Sequence, residues 1–526
     1  METDTIIIGN GPSAMILSYI LHGHIPLYSP DPPHPDPLLH AKLKDAPELL
    51  NICVDTLTQH FAASRLSYST QALPVNVLLD TLVRPSADIE ETESTSNVQW
   101  RFMPEKAVPH LVFGNAPQPG GQWTENPMPA SWEIQTLSYA AMLSLPGYSY
   151  AEHYRKETGK DLPLFTRPSR REVAEYLCAY PAAVHIDKVF RNGETVADIS
   201  RTANGFYIHS HNIHCKRLVL ASGIFSELVQ PSPLMIPLAQ AQPDPQVPFL
   251  IIGSGFSAAD VIISAPDNQK ILHIFKWNPD TRPSPLRGCH QQAYPEYAGV
   301  YRLMKRAAIA SDQSAKKRPR TRRASSTPFL ESRCWDQVYE GLANVEIVRV
   351  DMRDEGQAMV TFQQSDGTTF TRLVRGLAYA VGRRGTLGYL NEELRTEVLG
   401  CPIEETGANP PVSGQTLRSK AVEGLEVAPS VFIMGSLTGD SLIRFAYGGC
   451  VYTAGKVIRA YTGEDISTPS RPATATALAV MNGMDGHHIR PEMYGSDDGK
   501  SMQDRMAEPG KPGFVAWWHS LLRLWR

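Results

Sequence analysis

The residues best suited to chemistry in this chain are glycines. Thr5-Ile-Ile-Ile runs directly into Gly9-Asn-Gly11-Pro12-Ser13-Ala14, and an apolar helical segment, Met15 to His22, comes next. Gly-x-Gly-x-x-Ala between a strand and a helix is a dinucleotide-binding turn. The first glycine makes the tight turn and the second lets a pyrophosphate approach the backbone. The helix N-terminus then offers free N–H groups to the anion, and a small third residue lets helix and strand pack closely. The same order recurs downstream in Phe249-Leu-Ile-Ile-Gly253-Ser-Gly255-Phe-Ser257-Ala258, again leading into an apolar helix. Two such units are far more specific than one.

The residues after each turn bear on the choice of nucleotide. After the first helix, Ile25-Pro-Leu-Tyr28 predicts a short second strand. Asp31 then lies where an acid would meet ribose hydroxyls, or it is a turn aspartate beside Ser29-Pro30. After the second turn, a strand from Ile271 to Phe275 ends at Lys276, not at an acid, with Arg282 and Arg287 close behind. A cation there suits the 2′-phosphate of NADP, whereas an acid would suit the hydroxyl of NAD. The alternative is an exposed lysine at a strand end.

Other stretches could serve a flat ring or a polyol. Gly120-Gly121-Gln122-Trp123 allows close backbone approach and carries an aromatic face, unless it is a surface turn. Val431-Phe-Ile-Met-Gly435 leads through Gly439-Asp440 toward Arg444, so that Asp440 accepts hydrogen bonds from a polyol, caps a helix, or both. Arg167-Pro-Ser-Arg170-Arg171-Glu reads as a Ser169-capped helix whose arginines need be no more than solvated. Strand patterns at Val184 to Val189, Phe206 to His209 and Arg217 to Leu220 suggest a meander ending in Ala221-Ser-Gly223. Further strands are expected at Val345 to Val350, Ala358 to Phe362 and Leu373 to Val381.

Composition sets outer bounds. At 526 residues the chain exceeds one ordinary core, and 42% hydrophobic with 20% charged residues fits a globular protein. A net charge of −4 gives no global pull toward nucleic acid or membrane. The seven cysteines are scattered and never spaced C-x-x-C, so a disulfide scaffold, a zinc site and a redox dithiol all lack their signature. A reducing, cytoplasmic setting is expected. The strand starts almost at Met1 without a basic lead-in, which argues against a signal peptide, and no apolar stretch approaches the roughly 18 residues that span a bilayer. Residues 311–328 carry a basic run, Lys316 to Arg323, in polar sequence, expected as a mobile loop. Residues 463–511 are polar and Pro/Gly-rich, expected to be disordered. Phe514, Trp517, Trp518, Leu521 and Trp525 then fall at helical spacing, a segment suited to docking on protein or on a membrane surface.

Taken together, the two glycine turns, Gly120-Gly121-x-Trp123, Ala221-Ser-Gly223 and Gly439-Asp440 resemble the two-dinucleotide-binding-domain flavoproteins, specifically the flavin-containing monooxygenase group. Within it, Ile8-Gly-Asn-Gly-Pro-Ser, Tyr294-Pro-Glu-Tyr297, and Gly439-Asp440 followed by Arg444-Phe445 and Gly448-Gly449 look most like the oxidative-stress-induced growth inhibitor family. That family is in turn similar to the N-hydroxylating ornithine and lysine monooxygenases. The resemblance covers residues 4–462.

It implies an α/β fold of two Rossmann-like dinucleotide-binding domains, for FAD and NADPH, the second inserted in the first. The FAD domain would take residues 1–235 and 371–462, the NADPH domain 236–370, and the tail 463–526. NADPH would reduce FAD, and O2 would form a C4a-(hydro)peroxyflavin that passes one oxygen atom to a small amine or ketone. Gly9, Gly11, Pro12 and Ser13 would carry the FAD pyrophosphate, with Asp31 on the ribose. Gly121, Gln122 and Trp123 would line the flavin, Asp440 would take the ribityl chain, and Val189 and Arg444 complete this set. Gly253, Gly255, Ser257 and Ala258 would hold NADPH, with Lys276 and Arg282 at its 2′-phosphate. The chain could also form a homo-oligomer, and no nucleic-acid or metal partner is implied. The Baeyer–Villiger fingerprint is absent where Phe225-Ser-Glu-Leu-Val-Gln-Pro stands, and no catalytic acid or base is identified. The rival implied by the same family is an FAD-binding regulatory protein with little monooxygenase activity.

Overall fold

The structure, a computed structural model, describes residues 1–51, 53, 59–61, 72–85, 95–126, 128–311, 328–353, 356–400 and 410–463. The basic run and the aromatic C-terminal segment lie outside the described residues.

The Glu2–Ile8 strand is buried from Asp4 to Ile8, as a strand covered on both faces must be. It is parallel to His110–Gly114 on one side and to Ile213–Leu220 on the other. The sheet extends outward through Val431–Ile433 and Glu426–Ala428 on one flank and Phe190–Asn192 on the other. Ile199–Thr202, Gly205–Ile208 and Ile213–Leu220 form an antiparallel meander, in which Ile199–Thr202 takes the place expected of Val184 to Val189. The apolar helices Pro12–Leu21, Pro74–Val83 and Tyr447–Thr462 share this sheet's core.

Two expectations fail here, one locally and one through long-range pairing. The Val184 to Val189 pattern is not a strand, because the capped helix Arg170–Ala183 carries the chain to Val184 and a single 3-10 turn, Asp187–Val189, comes after it. The predicted second strand, His24–Tyr28, forms, but it pairs antiparallel with Val98–Phe102 in a separate two-stranded ribbon. The parallel neighbour of the first strand arrives only at His110.

A second, four-stranded sheet runs parallel throughout, in the order Tyr339–Ala343, Ile271–Phe275, Phe249–Ile252, Leu377–Tyr379. Strand alternation divides its side chains between two cores. Phe249, Ile251, Ile271 and Phe275 meet the helices Phe256–Ser264 and Pro295–Ser311. Leu250, Leu272 and Ile274 meet the antiparallel meander of Glu346–Met352, Gln357–Gln363 and Thr369–Arg375. The expected strand from Leu373 to Val381 is broken at Gly376, whose φ of 80° turns the chain from meander to sheet. Thr369–Arg375 therefore closes the meander, and Leu377–Tyr379 joins the four-stranded sheet.

Candidate functional site

The carboxyl ends of Glu2–Ile8, His110–Gly114 and Ile213–Leu220 open onto a cavity of about 510 Å³. Gly9 makes the turn out of the first strand at φ 119°. Its N–H donates to Phe113 O at 2.6 Å, and Ala221 N–H donates to Ile8 O at 2.8 Å. A Cβ at Gly9 would run into the Ala221 carbonyl, so only glycine fits. Gly11 then begins the Pro12–Leu21 helix, with Pro12 in its first turn and no side chain capping it. At Gly11 the space is open: an added Cβ would find nothing nearer than Gly120 O at 4.0 Å. A helix N-terminus that no side chain caps, facing a cavity, can take an anion.

The Gly120-Gly121 pair sits directly across from this turn. Gly120 N–H donates to Asn10 O at 2.9 Å, and a Cβ at Gly121 would lie 3.2 Å from Gly11 Cα. Gly9, Gly11, Pro12, Ser13, Gly121, Gln122 and Trp123 all line the one cavity. Two residues with no assigned role hold the arrangement together. Asn10 Nδ2 donates to Ala116 O, Gln118 O and Asn192 Oδ1 at 3.0, 3.1 and 2.8 Å. Arg170, far from being merely solvated, donates to Gln122 O at 3.1 Å and to Glu125 O, pinning the Gly121–Thr124 turn. The side chain of neighbouring Arg167 is only 7% exposed; it pairs with Glu296 at 2.7 Å and lies 4.4 Å from the Tyr294 ring centroid. The Arg167 and Tyr294 motifs thus meet as a bridge between the two sheets.

Three residues stand elsewhere than expected, and a fourth, Asp440, is already bonded within the protein. Asp31 is exposed on the ribbon side of the fold and does not line the cavity, because His24–Tyr28 is not the strand beside Glu2–Ile8. Val189 ends the 3-10 turn outside the cavity, whereas Val196 lines it. Arg444 is buried in an ion pair with Asp80 at 2.5 Å, behind the cavity wall. Asp440 does line the cavity, but its carboxylate accepts from Leu73 N at 2.8 Å, Asn76 Nδ2 at 2.6 Å and Arg418 at 2.8 Å. It caps no helix. Burial pushes its carboxyl up, against the pull of Arg418 and those donors.

The second glycine turn repeats the first. Gly253 N–H donates to Ile274 O at 2.9 Å, Ala380 N–H donates to Ile252 O at 2.8 Å, and a Cβ at Gly253 would run into the Ala380 carbonyl. Gly255 begins the Phe256–Ser264 helix, which also lacks a side-chain cap and includes Ser257 and Ala258. None of the four lines the first cavity. Buried His273 braces the turn: its Nε2 lies 2.7 Å from Gly253 O and its Nδ1 2.8 Å from Tyr339 Oη. A carbonyl only accepts, so Nε2 carries the proton, and burial pushes this imidazole down to about 4. Lys276 stands just past the neighbouring strand, 75% exposed and 3.8 Å from Glu346, and Arg282 is exposed near it.

No protein-family model matches the chain. Among known proteins, it is 26% identical over 502 residues to oxidative stress-induced growth inhibitor 1 of Mus musculus, covering 87% of this chain and 95% of the relative. It is 24% identical over 510 residues to oxidative stress-induced growth inhibitor 2 of Homo sapiens, covering 85% and 91%. Among solved structures it is similar to a flavin-containing monooxygenase from Stenotrophomonas maltophilia, at 12% identity and a TM-score of 0.47 over 88% of this chain and 99% of that one. The L-lysine 6-monooxygenase from Pseudomonas syringae gives 14% and 0.46 over 87% and 99%. The homologues of this chain are the oxidative stress-induced growth inhibitors.

Proposed function

We propose that this chain is a flavoprotein oxidoreductase, an FAD- and NADPH-dependent monooxygenase with two Rossmann-like units that inserts one oxygen atom from O2 into a small organic substrate. The observation that carries this reading is the repeated glycine turn, one copy at each parallel sheet, each with an uncapped helix N-terminus behind it. The residues fit FAD at the first copy. The open space at Gly11 admits a pyrophosphate to the N–H groups of the Pro12–Leu21 helix, where Pro12 and Ser13 stand. Gly121, Gln122 and Trp123, pinned by Arg170, face the same cavity and suit a flat ring. The second copy suits NADPH, with Gly255, Ser257 and Ala258 at the pyrophosphate and the exposed cations Lys276, which would exchange its Glu346 partner, and Arg282 at a 2′-phosphate.

When bound, the two cofactors supply the chemistry: NADPH provides two electrons, one oxygen atom enters the substrate and the other leaves as water. The chain's part is to bind, orient and exclude solvent. Asp440 ties the cavity lining to Leu73, Asn76 and Arg418, and Arg170 fixes the turn that would meet the ring. Purified protein mixed with NADPH under air should consume NADPH and O2 together. A second reading, an FAD-binding regulatory protein, is favoured by the growth-inhibitor names of the relatives. A protein that holds flavin and leaves NADPH untouched would have that role instead.

A further inference from the structure

A dinucleotide fold ordinarily carries an acid at the end of the strand beside the glycine turn, where a carboxylate accepts from the ribose hydroxyls. Here that strand is His110–Gly114, and it ends in glycine. No side chain can replace the glycine, because a Cβ at Gly114 would run into the Asn10 side chain. Asn10 fills that place with a neutral amide, held by its nitrogen to Ala116, Gln118 and Asn192, and so offers the diol no carboxylate.

Among the described residues, four acidic side chains line the cavity: Glu125, Glu194, Glu227 and Asp440. Asp440 is tied to Leu73, Asn76 and Arg418. Glu125 stands by Arg170 on the Gly-Gly-Gln-Trp side, and Glu227 belongs to a short strand paired with Arg383–Arg384. Glu194 alone adjoins Gly114: its N–H donates to Gly114 O at 3.1 Å, just past the Phe190–Asn192 strand. His211 Nε2 lies 3.3 Å from Glu194 Oε2, and the Glu194 side chain, which lines the cavity, is 43% exposed.

The geometry points to Glu194, one strand farther out than the usual acid, as the residue that binds the adenosine ribose hydroxyls of the dinucleotide at the first glycine turn. This rests on the FAD reading above. His211 orients one carboxylate oxygen, and the other is the acceptor this assignment gives to the diol.

The test compares FAD with its 2′,3′-dideoxyadenosine analogue, titrated into flavin-free protein and followed by flavin fluorescence. Wild type should bind the analogue about tenfold more weakly than FAD, the loss of a charge-assisted hydrogen bond. Glu194→Gln should bind FAD about as weakly as wild type binds the analogue, and should no longer distinguish the two. If wild type binds both flavins equally, or Glu194→Gln still discriminates as wild type does, the assignment is wrong. A wild type that binds neither flavin would instead overturn the FAD reading itself.

Discussion

Gly9 and Gly253 make the same bonds in two different sheets. Each donates its N–H to the penultimate residue of the neighbouring parallel strand, Phe113 at 2.6 Å and Ile274 at 2.9 Å. Each is flanked on its other side by an alanine, Ala221 or Ala380, whose N–H bonds the residue before the glycine and whose carbonyl leaves no room for a Cβ. The first glycine of each turn is thus fixed by the fold, whereas Gly11 and Gly255 face open space.

That division predicts separable phenotypes. Gly11→Val should fold, with a flavin-free melting temperature near that of wild type, yet weaken flavin binding by roughly a hundredfold, about 3 kcal/mol of lost contact. Gly255→Val should keep its flavin and lose reduction by NADPH. Gly9→Val should fail to fold, as shown by circular dichroism. If Gly255→Val is reduced at the wild-type rate, NADPH does not use the second turn.

Arg444 should prove structural. It forms a buried fork with Asp80, which also holds Arg84 at 3.3 Å. Arg444→Met leaves Asp80 buried with a weaker partner and should destabilise the protein by about 3–5 kcal/mol in urea unfolding. Pairing it with Asp80→Asn should recover part of that loss, while the folded double variant binds flavin as wild type does. A selective loss of flavin affinity would place Arg444 in the site after all.

Asn76 couples two distant segments: it donates to Asp440 at 2.6 Å and accepts from Gly449 N–H at 2.7 Å. Asn76→Ala strips a donor from a buried carboxylate and a partner from a buried N–H. It should cost about 2–4 kcal/mol in the same unfolding measurement. A change below about 0.5 kcal/mol would mean that the wall repacks around Asp440 without it.

Asp260, on the Phe256–Ser264 helix, sets a pH dependence. Burial pushes its carboxyl up to about 6 from 3.8, against the Tyr297 hydrogen bond of 2.8 Å and the nearby Arg170 charge. A folded state that prefers the protonated form is helped below about pH 4 and loses that help as pH rises through 6. This group should therefore cost up to about 3 kcal/mol between those values, and Asp260→Asn should remove that slope. His273 works in the opposite sense. Its stabilisation is present above pH 6.5 and is lost as pH falls toward 4. Urea unfolding at pH 4.5 and 7.5, wild type against Asp260→Asn, reads the difference; equal slopes would contradict it.

Both glycine turns, the Ser169 cap and the Gly121–Trp123 turn were legible because each is local, set by a few adjacent residues. Val189 is displaced locally, by the length of the Arg170–Ala183 helix; the other surprises come from long-range pairing. Asp31 comes after a real strand, but nothing near it reveals that His110–Gly114 takes the place beside Glu2–Ile8. Arg444 and Asp440 carry plausible ligand chemistry, and their partners Asp80, Asn76 and Arg418 lie in segments with no signal of their own. Arg170 looked like an ordinary helix arginine because its acceptors are backbone carbonyls. Gly376 splits one apolar run between two sheets, which periodicity alone does not show.

The central claim is that electrons pass from NADPH at the second turn to flavin at the first. Anaerobic mixing of the purified protein with NADPH tests it most directly. The visible flavin band should be present at the start, bleach on mixing, and return when O2 is admitted. A colourless protein, or a flavin band that NADPH leaves unchanged, would contradict it.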